Sequence, residues 1–292
     1  MRAAFDRRNG WRKWHLFGAI GGAAIAGVIA SNAWRDLLHI ARREEESSHI
    51  WLVPLVFIWL IWVRKSRLRT AVPGGAWPGT IMIAAGWFLW SFGYRDQFQS
   101  FWHGGAVIMC LGAILVVVGR DLLYKFLPAI LVLAFLIPVP KTARIAIAQP
   151  LQEITASVTR SVAEVLGMEV QQRGSLITFN GTEVAIAEAC NGMRMVFTLF
   201  LACYVFAFVT PLRGYVRAII LLASPVTAIV CNVIRLVPTV WVFGHATRDR
   251  AEMFHDISGW VMLIVAFLGL TGIVRLLRWA MVPVSPFTLA AA

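Results

Sequence analysis

Three side chains that are costly to place in a membrane fall at or near the ends of long apolar runs. They are Cys190 in Glu188-Ala-Cys-Asn-Gly-Met-Arg194, Arg235 in Asn232-Val-Ile-Arg235, and His255 in His255-Asp-Ile-Ser-Gly-Trp260. Ionisable groups at membrane depth usually face protein or a wet cavity and often serve function. A thiol, a guanidinium and an imidazole together are the parts of a cysteine acyl-transfer site. The thiolate is the nucleophile, and a free cysteine has a pKa of about 8.5. A helix that starts near Cys190 would present its positive end to the sulfur and favour the anion. Arg194 lies four residues on, one turn deeper on the same face. Arg194 and Arg235 are both candidates to stabilise the thiolate, and either could hold the negative oxygen of a tetrahedral intermediate. His255 can serve as general acid to a leaving amine. Glu188, Asn191 and Asn232 give the site polar company, and Ala189 and Gly192 leave room for an extended substrate backbone.

Other residues of the same types read differently. Cys110, Cys203 and Cys231 lie inside apolar runs, where cysteine is commonly a small packing residue. No CxxC pair occurs, so a zinc knuckle or a redox motif has no support, and no metal or organic cofactor is suggested. Arg217 and Arg275 sit near helix ends, where long basic side chains reach to the interface. Arg235 is different, with Asn232 beside it and an apolar segment through Phe243 beyond it. His103 and His245 read as interface residues, and His49 as structural or substrate-facing.

The elements that must position these groups are membrane helices. The 292 residues are 59% hydrophobic and 14% charged, against nearer a quarter charged in a soluble domain. The expected fold is an all-α polytopic membrane protein forming one integral domain over 1–292. Apolar runs predict about eight transmembrane helices, at roughly 15–33, 50–63, 78–94, 102–119, 122–138, 189–209, 214–243 and 257–279. The first run is long and lacks a small-residue cleavage site, so it is expected to stay as a helix. The net charge of +12 marks cytoplasmic loops rather than a nucleic-acid partner. Fifteen basic residues fall on the side of the N-terminus and ten on the other, which puts both termini in the cytoplasm.

One external connection, about 139–188, is much longer than the rest. Residues 141–166 carry apolar positions at three- and four-residue spacing, which predicts an amphipathic helix along the outer membrane face with a kink near Pro150. In Ser175–Ile186, Asn180-Gly181 between β-forming runs predicts a short hairpin before the sixth helix. With helices six and eight running inward and helix seven outward, Cys190, Arg235 and His255 all map to the outer side.

Ser48-His49-Ile-Trp-Leu-Val-Pro-Leu55, Phe135-Leu-Ile-Pro138, Val184-Ala-Ile-Ala-Glu-Ala-Cys-Asn-Gly-Met-Arg194, Asn232-Val-Ile-Arg235 and His255-Asp-Ile-Ser-Gly-Trp260 together resemble the exosortase/archaeosortase family, over about residues 45–280. The resemblance implies an integral membrane cysteine protease or transpeptidase of the prokaryotic plasma (inner) membrane. Its substrates would be surface-destined proteins with a C-terminal motif, a transmembrane helix and a basic tail. The family's Cys, Arg and His positions fall on Cys190, Arg235 and His255. Members usually carry Ser where this chain has Asn191, which leaves the catalytic assignment intact. The acceptor is either water or a glycan or lipid at the surface. The alternative class is a non-enzymatic transporter or flippase subunit for an anionic lipid-linked glycan, which would tolerate loss of Cys190 but not of Arg194 or Arg235.

Overall fold

The computed structural model describes residues 11–74, 76–185 and 192–279, and at several positions, among them 192–195 and His255, the backbone alone. The described chain is mostly helical with one three-stranded antiparallel sheet. It divides into two compact units, Met1–Pro140 and Lys141–Ala292. By length and composition, two described helices can cross a membrane, Gln99–Val118 and Gly214–His245, or up to four spans if each of two bent helix pairs is one. The expected eight crossings exceed that number, and two of the apolar runs break.

The first break follows the first apolar run. Helix α1 (Lys13–Ile29) is bent by 79° from α2 (Ser31–Arg43). Just past the bend, the Asn32 side chain accepts from the Ala33 amide at 2.9 Å, the kind of local bond that competes with a continuous helix. Residues expected in an external loop form α2 instead. It buries Ala33, Leu37, Ile40 and Ala41 and exposes Arg35, His39 and Arg42. A 3₁₀ turn, Glu45–Trp51, leads into the short apolar α3 (Leu52–Val63). The Trp51 indole donates to the Ala41 carbonyl at 3.0 Å, tying that turn to α2.

Helices α4 (Trp77–Arg95) and α5 (Gln99–Val118) form a hairpin whose backbones touch. Gly79, Gly86 and Gly93 recur every seven residues on α4; the first two face Gly112 and Gly105 of α5, and Gly93 meets the Trp102 backbone. A Cβ at Gly86 would stand 2.6 Å from the Met109 nitrogen, and one at Gly112 would stand 2.7 Å from that of Ile83. Lipid offers no hydrophobic drive to pair helices, so small residues that let backbones close up supply the contact.

The run expected as one helix over 122–138 is three pieces: α6 (Arg120–Lys125), α7 (Leu127–Val132) and a 3₁₀ turn, Leu133–Leu136. Pro128 explains the break, since it lacks the amide that would reach back four residues and its ring crowds that carbonyl. A polar latch holds the preceding connection. Asp121 accepts from Lys125 at 2.8 Å and from the Val72 amide at 3.0 Å, and Arg67 donates to the Lys125 carbonyl at 3.2 Å.

In the second unit, α8 (Lys141–Val165) is continuous through Pro150. Its buried face is the small one, Thr155, Ala156, Thr159 and Ala163, whereas Ile145, Ile147, Ile154 and Val158 stay exposed. The expected hairpin is present but belongs to a three-stranded meander of β1 (Val170–Arg173), β2 (Leu176–Phe179) and β3 (Thr182–Ala185). Asn180 and Gly181 have φ of +50° and +75°, as a two-residue turn matched to the strand twist requires. Strand β1 was not legible because Gln171, Gln172 and Arg173 mask its alternation. Val170, Ile177, Phe179 and Val184 pack with Ala156 and Ala163 of α8 and with Leu236 and Val240.

Those last two residues belong to α10 (Gly214–His245), which lies between α9 (Gly192–Val209) and α11 (Arg248–Trp279) in chain order. Helices α9 and α11 each pack on α10 and also touch each other. Leu199 and Cys203 of α9, Ile220 and Cys231 of α10 and Met262 of α11 share one core.

Candidate active site

Helix α10 carries the best-defined part of the site. It contains two internal prolines, Pro225 and Pro238, each removing one backbone donor. A side chain answers the first loss, and a second hydroxyl binds the helix next to the other proline. The Ser224 hydroxyl donates at 2.9 Å to the Leu221 carbonyl, the one Pro225 cannot reach. The Thr239 hydroxyl donates at 2.7 Å to the Arg235 carbonyl, beside the second gap.

Arg235 is 4% exposed, and one guanidinium nitrogen, Nη1, lies against Gly259 of α11, where an added Cβ would approach to 3.3 Å. A Cβ at that position would press the guanidinium back by a few tenths of an ångström. Asn232, one turn earlier on the same face, is 8% exposed, and its Oδ1 accepts no hydrogen bond among the described residues. A buried guanidinium and an open amide acceptor thus sit side by side. A charge-bearing donor of this kind suits an oxyanion, and the amide acceptor suits a substrate backbone N–H.

The helix order brings the other candidates toward this end. Helices α10 and α11 are joined through 246–247 and run antiparallel, with Arg235 beside Gly259 at one level and Cys231 sharing a core with Met262 one turn further along. His255 lies one turn before Gly259 on α11, about 6 Å away along the axis. Helix α9 has 18 residues, so its first residue is roughly 27 Å from the α9–α10 connection. Arg235 lies roughly 32 Å along α10 from the same connection. The start of α9 and the guanidinium are therefore at the same end of the helix pair. Gly192 is the first residue of α9 and Arg194 is in its first turn. Cys190, Glu188 and Asn191 lie outside the described residues, in the segment that joins β3 to α9.

The remaining candidates separate cleanly. Cys203 and Cys231 are 1% and 3% exposed in the helix core, the packing role expected of them, and Cys110 is half-buried. His245 is exposed, stacked on Trp241, and near Phe179 of the sheet, in keeping with an interface residue. His103 is not an interface residue: it is 2% exposed and lies 3.1 Å from Asp36. Its neighbours Gln99 and Trp102 gave no sign of this, because the carboxylate arrives from α2. His49 is buried in the 3₁₀ turn before α3. Gly259 and Thr239 were missed as parts of the site. Their signals were a glycine one turn after His255 and a proline–threonine pair one turn after Arg235.

A family model for transmembrane exosortase (Exosortase_EpsH) matches residues 34–272. The chain belongs to this family, and it is a membrane protein. No curated protein and no solved structure matches it.

Proposed function

We propose that the chain is an exosortase-like cysteine peptidase or transpeptidase that cleaves a C-terminal sorting signal of surface-destined membrane proteins. Cys190 attacks the peptide carbonyl, forms a thioester and expels the amine. Arg235 orients the substrate and holds the oxyanion, with Arg194 as a supporting charge. His255 protonates the departing amine and then activates the acceptor, which is water or a surface glycan or lipid. Glu188 and Asn191 shape the surroundings of the thiol, Gly192 leaves space, and Asn232 receives the substrate backbone. The chemistry needs no metal or organic cofactor. The chain crosses the plasma (inner) membrane about eight times, with both termini cytoplasmic and the site on the periplasmic or external face.

The observation that carries this reading is the buried guanidinium of Arg235, laid on Gly259 one turn from His255. Membership of the exosortase family supports it. The test is co-expression with C-terminally tagged surface proteins bearing a motif, a helix and a basic tail. Wild type should shorten the tagged protein and Cys190→Ala should not. Equal processing by both would sink the reading. A phenotype that survives Cys190→Ala but not Arg235→Ala would favour the transporter class.

A further inference from the structure

We propose that three separate stretches of the first unit close into one basic surface that binds the headgroups of anionic phospholipids. The stretches are residues 11–14 at the start of α1, the 64–74 connection after α3, and the start of α6. Packing brings the first and last to one end. Gly18 of α1 lies against Val117 of α5 and Gly22 against Ala113, so the two helices run antiparallel. Lys13 therefore stands at the level where α5 passes into Arg120. Hydrogen bonds add the middle stretch. The Trp11 indole donates to the Ala71 carbonyl at 2.7 Å, the Val72 amide to Asp121 at 3.0 Å, and Lys125 to the Thr70 carbonyl. Gly119 lies so close to Gly74 that a Cβ would run into its carbonyl oxygen.

The surface is of one sign. Arg12, Lys13, Lys65, Arg67 and Arg120 are exposed, and none of them forms an ion pair among the described residues. Asp121, the acidic residue of these stretches, is already engaged by Lys125 at 2.8 Å. Like charges gathered this way repel, and a phosphodiester both offsets the repulsion and accepts their hydrogen bonds. The adjoining surface marks the partner as a lipid. Trp14, Trp62 and Tyr124 are exposed at the same end, as aromatic residues are at the headgroup level of a membrane. Lys65 lies over the Trp62 ring, 4.7 Å from its centroid. Within two turns along α1 from Lys13, the exposed side chains Leu16, Phe17 and Ile20 are apolar. A partner that meets both surfaces has an anionic head and an apolar tail. Orientation by basic residues requires only that they share a side; here the fold also gathers distant ones into one surface.

The experiment uses the full chain in phosphatidylcholine nanodiscs with a minority of phosphatidylglycerol. Native cysteines are replaced by alanine, and a bimane is attached at Phe17→Cys. Bromine on the phosphatidylglycerol chains should quench the bimane more than bromine on an equal amount of phosphatidylcholine. Lys13→Gln and Arg120→Gln should each lower that preference by up to about fivefold, the weight of one basic residue at an anionic surface. Lys13→Arg should keep it. Arg35→Gln and Arg42→Gln, on α2 past the far end of α1, should leave it unchanged. Equal quenching by the two lipids in the otherwise native chain overturns the proposal. So does a preference that persists when Lys13 and Arg120 are both replaced, or one that falls as far with the α2 pair. Inorganic phosphate at constant ionic strength should not alter the preference, and displacement of the lipid by phosphate would overturn its assignment to a headgroup.

Discussion

At the residue scale, the site turns on where a flat cation can lie. Arg235 rests on Gly259, and an added Cβ there would meet Nη1 at 3.3 Å. Gly259→Val should displace the guanidinium and lower processing by about 10²-fold, the cost of a misplacement near 1 Å in a reacting group. Processing of a tagged substrate at matched enzyme levels checks this, and full activity would detach Arg235 from the chemistry. Lysine keeps the charge but not the fork of donors. Arg235→Lys should therefore be nearly as damaging as Arg235→Ala, while Arg194→Lys keeps part of the activity. His255→Ala should slow amine departure by about 10²–10⁴-fold. The same processing assay reads all of these. The thiols differ too. Cys203 and Cys231 are sealed in the core and Cys110 is half-buried, and Cys190 should alkylate ahead of all three in folded protein.

At the element scale, the α4–α5 hairpin depends on glycines whose replacement has nowhere to go. Gly86→Ala drives a carbon into the α5 backbone and should cost about 1–3 kcal/mol or more in thermal unfolding in detergent. Gly21→Ala on α1 has open space and should be neutral or stabilise by up to about 1 kcal/mol. Similar losses from both would remove the packing argument. The Asp121 latch behaves as an acid-sensitive element. Its hydrogen bond from Lys125, then that from the Val72 amide, hold the carboxyl below the usual carboxylate range. A depressed value stabilises the fold above the ordinary carboxylate pKa of about 3.9, and the gain is lost as pH falls through the lower folded value. Exchange of the Val72 amide should quicken across that acid range in wild type and show no such step in Asp121→Asn.

At the scale of the whole molecule, orientation is the testable quantity. The proposed orientation, from the excess of basic residues on one side, predicts Ser66 in the cytoplasm and Ser175 outside. Ser66 lies in the 3₁₀ turn Lys65–Thr70 and Ser175 in the turn between β1 and β2. An impermeant thiol reagent should reach Ser175→Cys and not Ser66→Cys in intact cells lacking the native cysteines. The reverse would move the proposed site to the wrong face. Local patterning along the chain specifies a membrane protein, the helices around Arg235, the helical 141–165 segment and the Asn180-Gly181 turn. Each rests on composition, on period or on a residue with a special backbone preference, and all of these are visible in one dimension. The tertiary structure decided the features that depend on partners distant in sequence. Gly259 became the seat of Arg235, Asp36 met His103 across the interior, and α8 turned its small face rather than its large one inward. Two runs that read as single helices broke because a bend at Ala30 and a proline at 128 act locally on a pattern that hydropathy averages over. In lipid, apolar character is cheap everywhere, so close contact between backbones chooses the faces that meet, and that choice is written in pairs of residues rather than in either alone.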